Sequence, residues 1–230
     1  KNSSKKEKVM KYSQYPYKRI DLKQFQKDVE VMINDFKSAQ SAEKQIQIIQ
    51  SYQKVQKETQ TYSSIANLNF ARNTKDSKAV EENKFYDEIS PEIAAIDNQF
   101  TQAINASKFK DALLKKFGKH FFNLIEMELK SFDPKLVDLM KKENEISNEY
   151  RTLLAGAEIE YKGNKLNLAG LSPYMQDTNR ETRKEAYQLM DNFFLQHEEK
   201  LDTIFDKLVK VRHQKAQVLN FDNFIPLGYL

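Results

Sequence analysis

The chain has 230 residues, 40% hydrophobic, 30% charged and 11% aromatic, with a formal net charge of +4. Its 15 Phe and 11 Tyr are too many for a disordered chain, despite a mean hydropathy of −0.75. Five Gly and five Pro are less than half of ordinary usage, about 12% together, which disfavours turn-rich sandwiches, barrels and glycine-loop folds; the absence of Cys excludes disulfides, thiolate nucleophiles and Cys-ligated zinc.

At the N-terminus Lys1, Lys5, Lys6, Lys8 and Lys11 stand against Glu7 alone, so residues 1–11 hold the whole +4 and the rest of the chain is neutral. These residues read as a basic disordered tail, with a lipid- or nucleic-acid-binding arm as the alternative. The body lacks the clustered Lys and Arg of a phosphate-binding face. No apolar run reaches the roughly 18 residues of a membrane span. The chain starts at Lys1, so a preceding signal segment stays open. Heavy Lys, Asn, Gln and Ile usage beside only six Arg resembles AT-rich bacterial coding.

Pro16 holds Tyr12–Arg19 extended, and Asp21 is placed as an N-cap. Leu22, Phe25, Val29, Ile33 and Phe36 recur at helical spacing. A second helix runs from about Ala42 to about Ala71. A third covers about Lys78–Ala106, with a kink or break expected near Ile89 because Ser90-Pro91 lies inside it. Ala112–Lys116 and His120–Lys130 are shorter helices separated by Gly118. Asp133-Pro134 restarts the chain as N-cap and first helical residue, and the next helix ends at Ala155-Gly156.

The period then changes. Ile159-Glu160-Tyr161 and Leu166-Asn167-Leu168 alternate around Lys162-Gly163-Asn164-Lys165, a small β-hairpin. Thr178-x-x-Glu181 matches a capping box, and one long helical pattern follows to about Leu219. The fold expected is all-α, mainly long antiparallel helices, with one β-hairpin near residues 158–168. Its divisions are the tail 1–11, an N-terminal helical lobe 12–156, and a part 157–230 holding the hairpin and the last helices.

Few residues suggest catalysis. A zinc-peptidase helix needs His-Glu-x-x-His, which sets two ligands one turn apart with Glu as base. His197-Glu198 begins correctly, but Leu201 stands where the second His belongs. His120 and His213 are followed four residues on by Leu124 and Gln217. Glu126/Glu128 and Glu143/Glu145 are two apart and do not share a helix face. Together with Glu198/Glu199 they read as solvated faces. Phe117, Phe194 and Lys210 stand three before the histidines, so no Glu-x-x-His di-iron box exists. No catalytic, cofactor-binding or metal-ligating residue can be assigned.

The last third carries a resemblance. Asp177-Thr178-Asn179-Arg180-Glu181-Thr182-Arg183-Lys184-Glu185-Ala186-Tyr187 resembles the dR-x-x-R-x-x-A-y segment of the M3 family of zinc metallopeptidases, whose bacterial branch is oligoendopeptidase F. Leu201-Asp202-x-Ile204-Phe205-Asp206-x-Leu208-Val209-x-x-Arg212 resembles the family's next helix. Lys215-Ala216-x-x-Leu219-Asn220-Phe221 through Gly228-Tyr229-Leu230 resembles its following passage, with Asn220 where Gly is usual. Thr59–Asn73, the Ile159–Leu168 hairpin and Ser172-Pro173-Tyr174-Met175 fit the family order. The similarity spans most of residues 12–230.

The resemblance implies the N-terminal helical portion of an oligopeptide-cleaving zinc metalloendopeptidase. This portion forms part of a peptide channel and is inactive alone. The zinc motif would lie beyond Leu230, so zinc is expected for the full-length protein and none for this chain. Expected partners are short unfolded peptides and the missing catalytic lobe, with no nucleic acid and no membrane. Self-association through uncovered apolar surface is a further expectation. A bacterial cytoplasmic location is implied, with a secreted or surface-anchored one left open. The alternative is a non-enzymatic helical scaffold or peptide-binding adaptor.

Overall fold

The computed structural model describes residues 12–230; the expected N-terminal tail lies outside them. Five helices build the first part: α1 (Leu22–Ser38), α2 (Ala42–Arg72), α3 (Ser77–Asn105), α4 (Lys110–Phe117) and α5 (Lys119–Ser131). The starts of α1, α2 and α3 are chemically marked. Asp21 accepts from the Gln24 N–H, Ser41 from Lys44 and Asp76 from Ala79, each satisfying a backbone donor that the first helical turn leaves free. Gly118 separates α4 from α5 at φ 86°, a conformation costly for any side chain.

The apolar stripes of α1 to α5 converge on one core. Phe25, Val29, Ile33 and Phe36 of α1 meet Ile49 and Tyr52 of α2 and Ile96 and Phe100 of α3, with Leu113 and Phe122 closing the far side. Phe100 has no solvent exposure. Its ring lies 4.2 Å from that of Tyr52 and 5.6 Å, edge to face, from that of Phe36. Three aromatic residues thus join three helices at one point.

Helix α3 runs through Pro91 without the break that was one of the two outcomes expected there. Proline lacks the N–H that would bond to the Asp87 carbonyl. The Asn144 side chain supplies the replacement, donating Nδ2 to the Asp87 carbonyl at 3.0 Å. It comes from α6 (Val137–Ala155), which follows a short turn capped by Asp133. The Asp87 carboxylate also accepts from Asn83 at 2.6 Å and from Asn148 of α6. A sequence signal read as a helix breaker is instead a docking point between α3 and α6.

The hairpin pairs β1 (Ile159–Tyr161) with β2 (Asn164–Leu166). The second strand thus begins two residues earlier than expected. Lys162 (φ 49°) and Gly163 (φ 77°) form the turn alone. A two-residue turn with both φ positive matches the strand twist and fixes the register at Tyr161 opposite Asn164. Leu168 leads into a short turn before α7 (Ser172–Met175).

The single long helix expected from Thr178 to Leu219 is two: α8 (Arg180–Gln196) and α9 (Glu198–Val218). Asn179, not Thr178, is the N-cap, accepting from the Glu181 and Thr182 N–H groups. The break falls at His197. Its Nδ1 lies 2.8 Å from the Phe193 carbonyl oxygen, and its ring stacks 4.4 Å from that of Phe193. The ring therefore occupies the acceptor that the His197 N–H would use in a continuing helix, and that N–H bonds Phe194 instead. Helix α9 lies along α6, and α10 (Phe224–Gly228) folds back on α9.

Tyr52 also anchors a polar contact whose titration can be measured. Its hydroxyl bonds the half-buried Asp97 carboxylate, and burial raises that carboxyl above its usual range against the hydrogen bonds from Tyr52 and Gln56. A raised folded-state value adds stability that is complete below the unfolded value and is lost as pH rises through the folded one. Stability should therefore fall across the window just above the ordinary carboxylate range. Urea unfolding at several pH values should give a shallower fall for Asp97→Asn. An unchanged slope would refute the assignment.

Candidate functional site

A cleft of about 1300 Å³ opens between α3, α6 and the α8–α9 junction. Its apolar lining comes from Phe70, Val80, Leu153, Ile159, Leu189 and Phe193, and Lys84, Glu88, Glu145, Asn192, Gln196 and Lys200 add polar groups. Polar and charged side chains outnumber apolar ones along it, so the cleft sets many hydrogen-bonding groups beside an apolar patch.

One wall is held by the α3–α6 seam at Pro91, where Asn83, Asp87 and Asn148 also line the cleft. Burial raises the Asp87 carboxyl above its usual range, opposed by the Asn148 hydrogen bond and the Arg151 charge. The opposite wall is a second apolar cluster of Ala157, Ile159, Leu171 and Phe193. There the Tyr161 hydroxyl donates to Glu185 of α8 at 2.8 Å, and the Tyr161 ring packs edge to face on Tyr174. Two further contacts tie together segments beside the cleft. Lys75 pairs with Glu158 at 2.5 Å, and the Arg151 guanidinium lies 5.2 Å over the Phe70 ring.

The three histidines do not meet. His120 is exposed at the start of α5 and His213 is exposed on α9, while His197 lines the cleft. Among the described residues no three His, Cys, Asp or Glu side chains converge as a metal site. The described residues therefore offer no set of ligands that fits zinc.

Glu143 corrects the reading of the acidic pairs as solvated faces. Its carboxylate accepts from Arg212 Nε and Lys215 Nζ, both at 2.7 Å, and so ties α6 to α9. Burial pushes the Glu143 carboxyl up, but the hydrogen bonds from Lys215 and Arg212 outweigh it and hold the group below its usual range. Its neighbour Glu145 is exposed and lines the cleft. Sequence reading missed the cleft because its Asn and Asp residues match no catalytic pattern. The available signal was Asn83 with Asp87 and Asn144 with Asn148, polar pairs one turn apart on otherwise amphipathic helices.

Comparison with known proteins agrees with this architecture. The profile of the Peptidase M3 N-terminal domain matches residues 12–132. Pz peptidase A, solved with an inhibitor, superposes with a TM-score of 0.92 at 34% identity, over 95% of this chain and 39% of its own. A protein from Bacillus anthracis str. Ames, provisionally named oligoendopeptidase F, gives 0.92 at 33% identity, over 97% and 41%. A second provisionally named oligoendopeptidase F gives 0.92 at 32%, over 96% and 39%. The chain thus spans about two fifths of the length of these solved relatives. Comparison with curated proteins gives no match. The profile covers more than half of the chain, and the chain belongs to the M3 peptidase family through its N-terminal domain.

Proposed function

We propose that this chain is the N-terminal portion of an oligopeptide-cleaving zinc metalloendopeptidase, forming part of the wall of its peptide channel and not catalytic alone. On this reading residues 12–156 form the helical lobe, and residues 157–230 lead into a catalytic lobe that supplies the zinc. The carrying observation is the pairing of near-complete coverage of this chain with about 39% coverage of Pz peptidase A. The cleft supports it. Its apolar lining can take a side chain, and Asn192, Gln196 and the flanking charges can hold peptide polar groups. Zinc hydrolysis needs a positioned water, a general base and a polarised carbonyl; this portion contributes binding surface and exclusion of solvent.

The partners on this reading are short unfolded peptides and the catalytic lobe, in the bacterial cytoplasm. Among the described residues no helix is long and apolar enough to cross a membrane. The purified chain should cleave no quenched fluorescent peptide and should carry no stoichiometric zinc by elemental analysis. Chelator-sensitive turnover by the pure chain would overturn the proposal. A parent reading frame that continues past Leu230 into a His-Glu-x-x-His motif would support it; one that stops there would favour a non-catalytic scaffold.

A further inference from the structure

Helix α9 carries two apolar stripes. Ile204 and Val211, with Leu208 beside them, pack with Ile146 and Leu153 of α6. The second stripe is Phe205, Val209, Arg212 and Ala216, spaced four, three and four residues apart and therefore along one side of the helix. Its C-terminal half is partly covered by the end of the chain, with Ala216 fully buried and the Arg212 side chain 43% exposed. The Phe221 N–H bonds the Ala216 carbonyl at 2.9 Å, and the Phe224 ring lies 5.5 Å from the Arg212 guanidinium. Arg212 is itself paired with Glu143, so the stripe carries no uncompensated charge. Its N-terminal half is bare: Phe205 is 69% exposed and Val209 is 49% exposed. Ile225 on α10 and Tyr229, which caps its end, are 66% and 88% exposed.

A helix with one apolar stripe needs one partner, and a helix with two sits between partners. We propose that Phe205, Val209, Ile225 and Tyr229 form the seat of the polypeptide that follows Leu230 in the parent protein. The inference rests on the reading of the chain as a portion of a longer peptidase. Two observations choose this occupant over a second copy of the chain. The half of the stripe already partly covered is covered by α10, the element from which a continuing chain would leave. About three fifths of the solved relatives' length lies outside the matched region and is available to extend that cover over the bare half.

The chain contains no Cys, so single cysteines report accessibility directly. Phe205→Cys would be compared with Val31→Cys on α1, a site 57% exposed and away from this face. Both would be made in the 230-residue chain and in the parent polypeptide, and maleimide labelling rates read by peptide mass mapping. In the 230-residue chain both sites should label at similar rates. In the parent, position 205 should label about tenfold more slowly or worse, because a covered site reacts only on local opening, while position 31 is unchanged. Equal rates at the two positions in the parent would overturn this seat while leaving the peptidase reading intact. Slow labelling at 205 in the 230-residue chain that sets in with rising protein concentration would assign the face to a second copy and overturn the proposal. A parent reading frame that ends at Leu230 would overturn both readings.

Discussion

Phe100→Ala should destabilise the helical body by about 3–5 kcal/mol, the range for removing a fully buried aromatic side chain from a close-packed core. Phe100 has no exposure, and its ring touches those of Phe36 on α1 and Tyr52 on α2. The truncation therefore removes one side of two aromatic contacts and leaves a cavity where three helices meet. Collapse around it is limited, because Tyr52 is held by its bond to Asp97. Urea unfolding should show a lower midpoint with an unchanged slope, and Phe100→Leu should lose clearly less. Phe205→Ala in the same 230-residue chain should stay within about 0.5 kcal/mol, since that ring is mostly exposed. A Phe100→Ala loss below about 1 kcal/mol would contradict the packing at this junction.

The second large effect belongs to the proline inside α3. Asn144→Leu leaves the part-buried Asp87 carbonyl without its replacement donor, which should cost about 0.5–1.5 kcal/mol, the net worth of a typical hydrogen bond. The cause can be isolated, because Pro91→Ala restores a backbone N–H that can reach Asp87 within the helix. In that background Asn144→Leu should cost less. The double-mutant cycle separates this coupling from the small cavity that Pro91→Ala creates. Equal costs in both backgrounds would show that Asn144 acts through packing alone. The loss should also be felt in the cleft, because the same seam sets α3 against α6 along one of its walls.

Much of the helix pattern was legible in the chain. Asp21, Asp133-Pro134 and Gly118 are local devices acting on their own backbone, so their chemistry announces the boundary wherever the helix packs. The hairpin was also visible, since Lys162-Gly163 is flanked by alternating residues. Only its second strand was displaced, because alternation alone does not distinguish a four-residue loop from a two-residue turn. Three readings were revised for a common reason. Pro91 does not break α3, His197 does break the last helical pattern, and Glu143 is no solvated surface residue. In each case a side chain found a partner that local spacing does not reveal: Asn144 for Asp87 next to the proline, Phe193 for His197, and Arg212 with Lys215 for Glu143.

The cleft was not legible, because its lining comes from five helices and a strand widely separated in the chain. None of its residues belongs to a catalytic motif, and its form depends on how α6 docks between α3 and α9. The sequence by itself determined the helical class, the hairpin, most helix starts and the family, because each rests on periodicity, local capping or the order of short motifs. Tertiary structure alone decided where the helices run on or break, which carboxylates are paired, and that a cleft exists. Those outcomes depend on hydrogen-bond partners and packed faces brought together from distant segments.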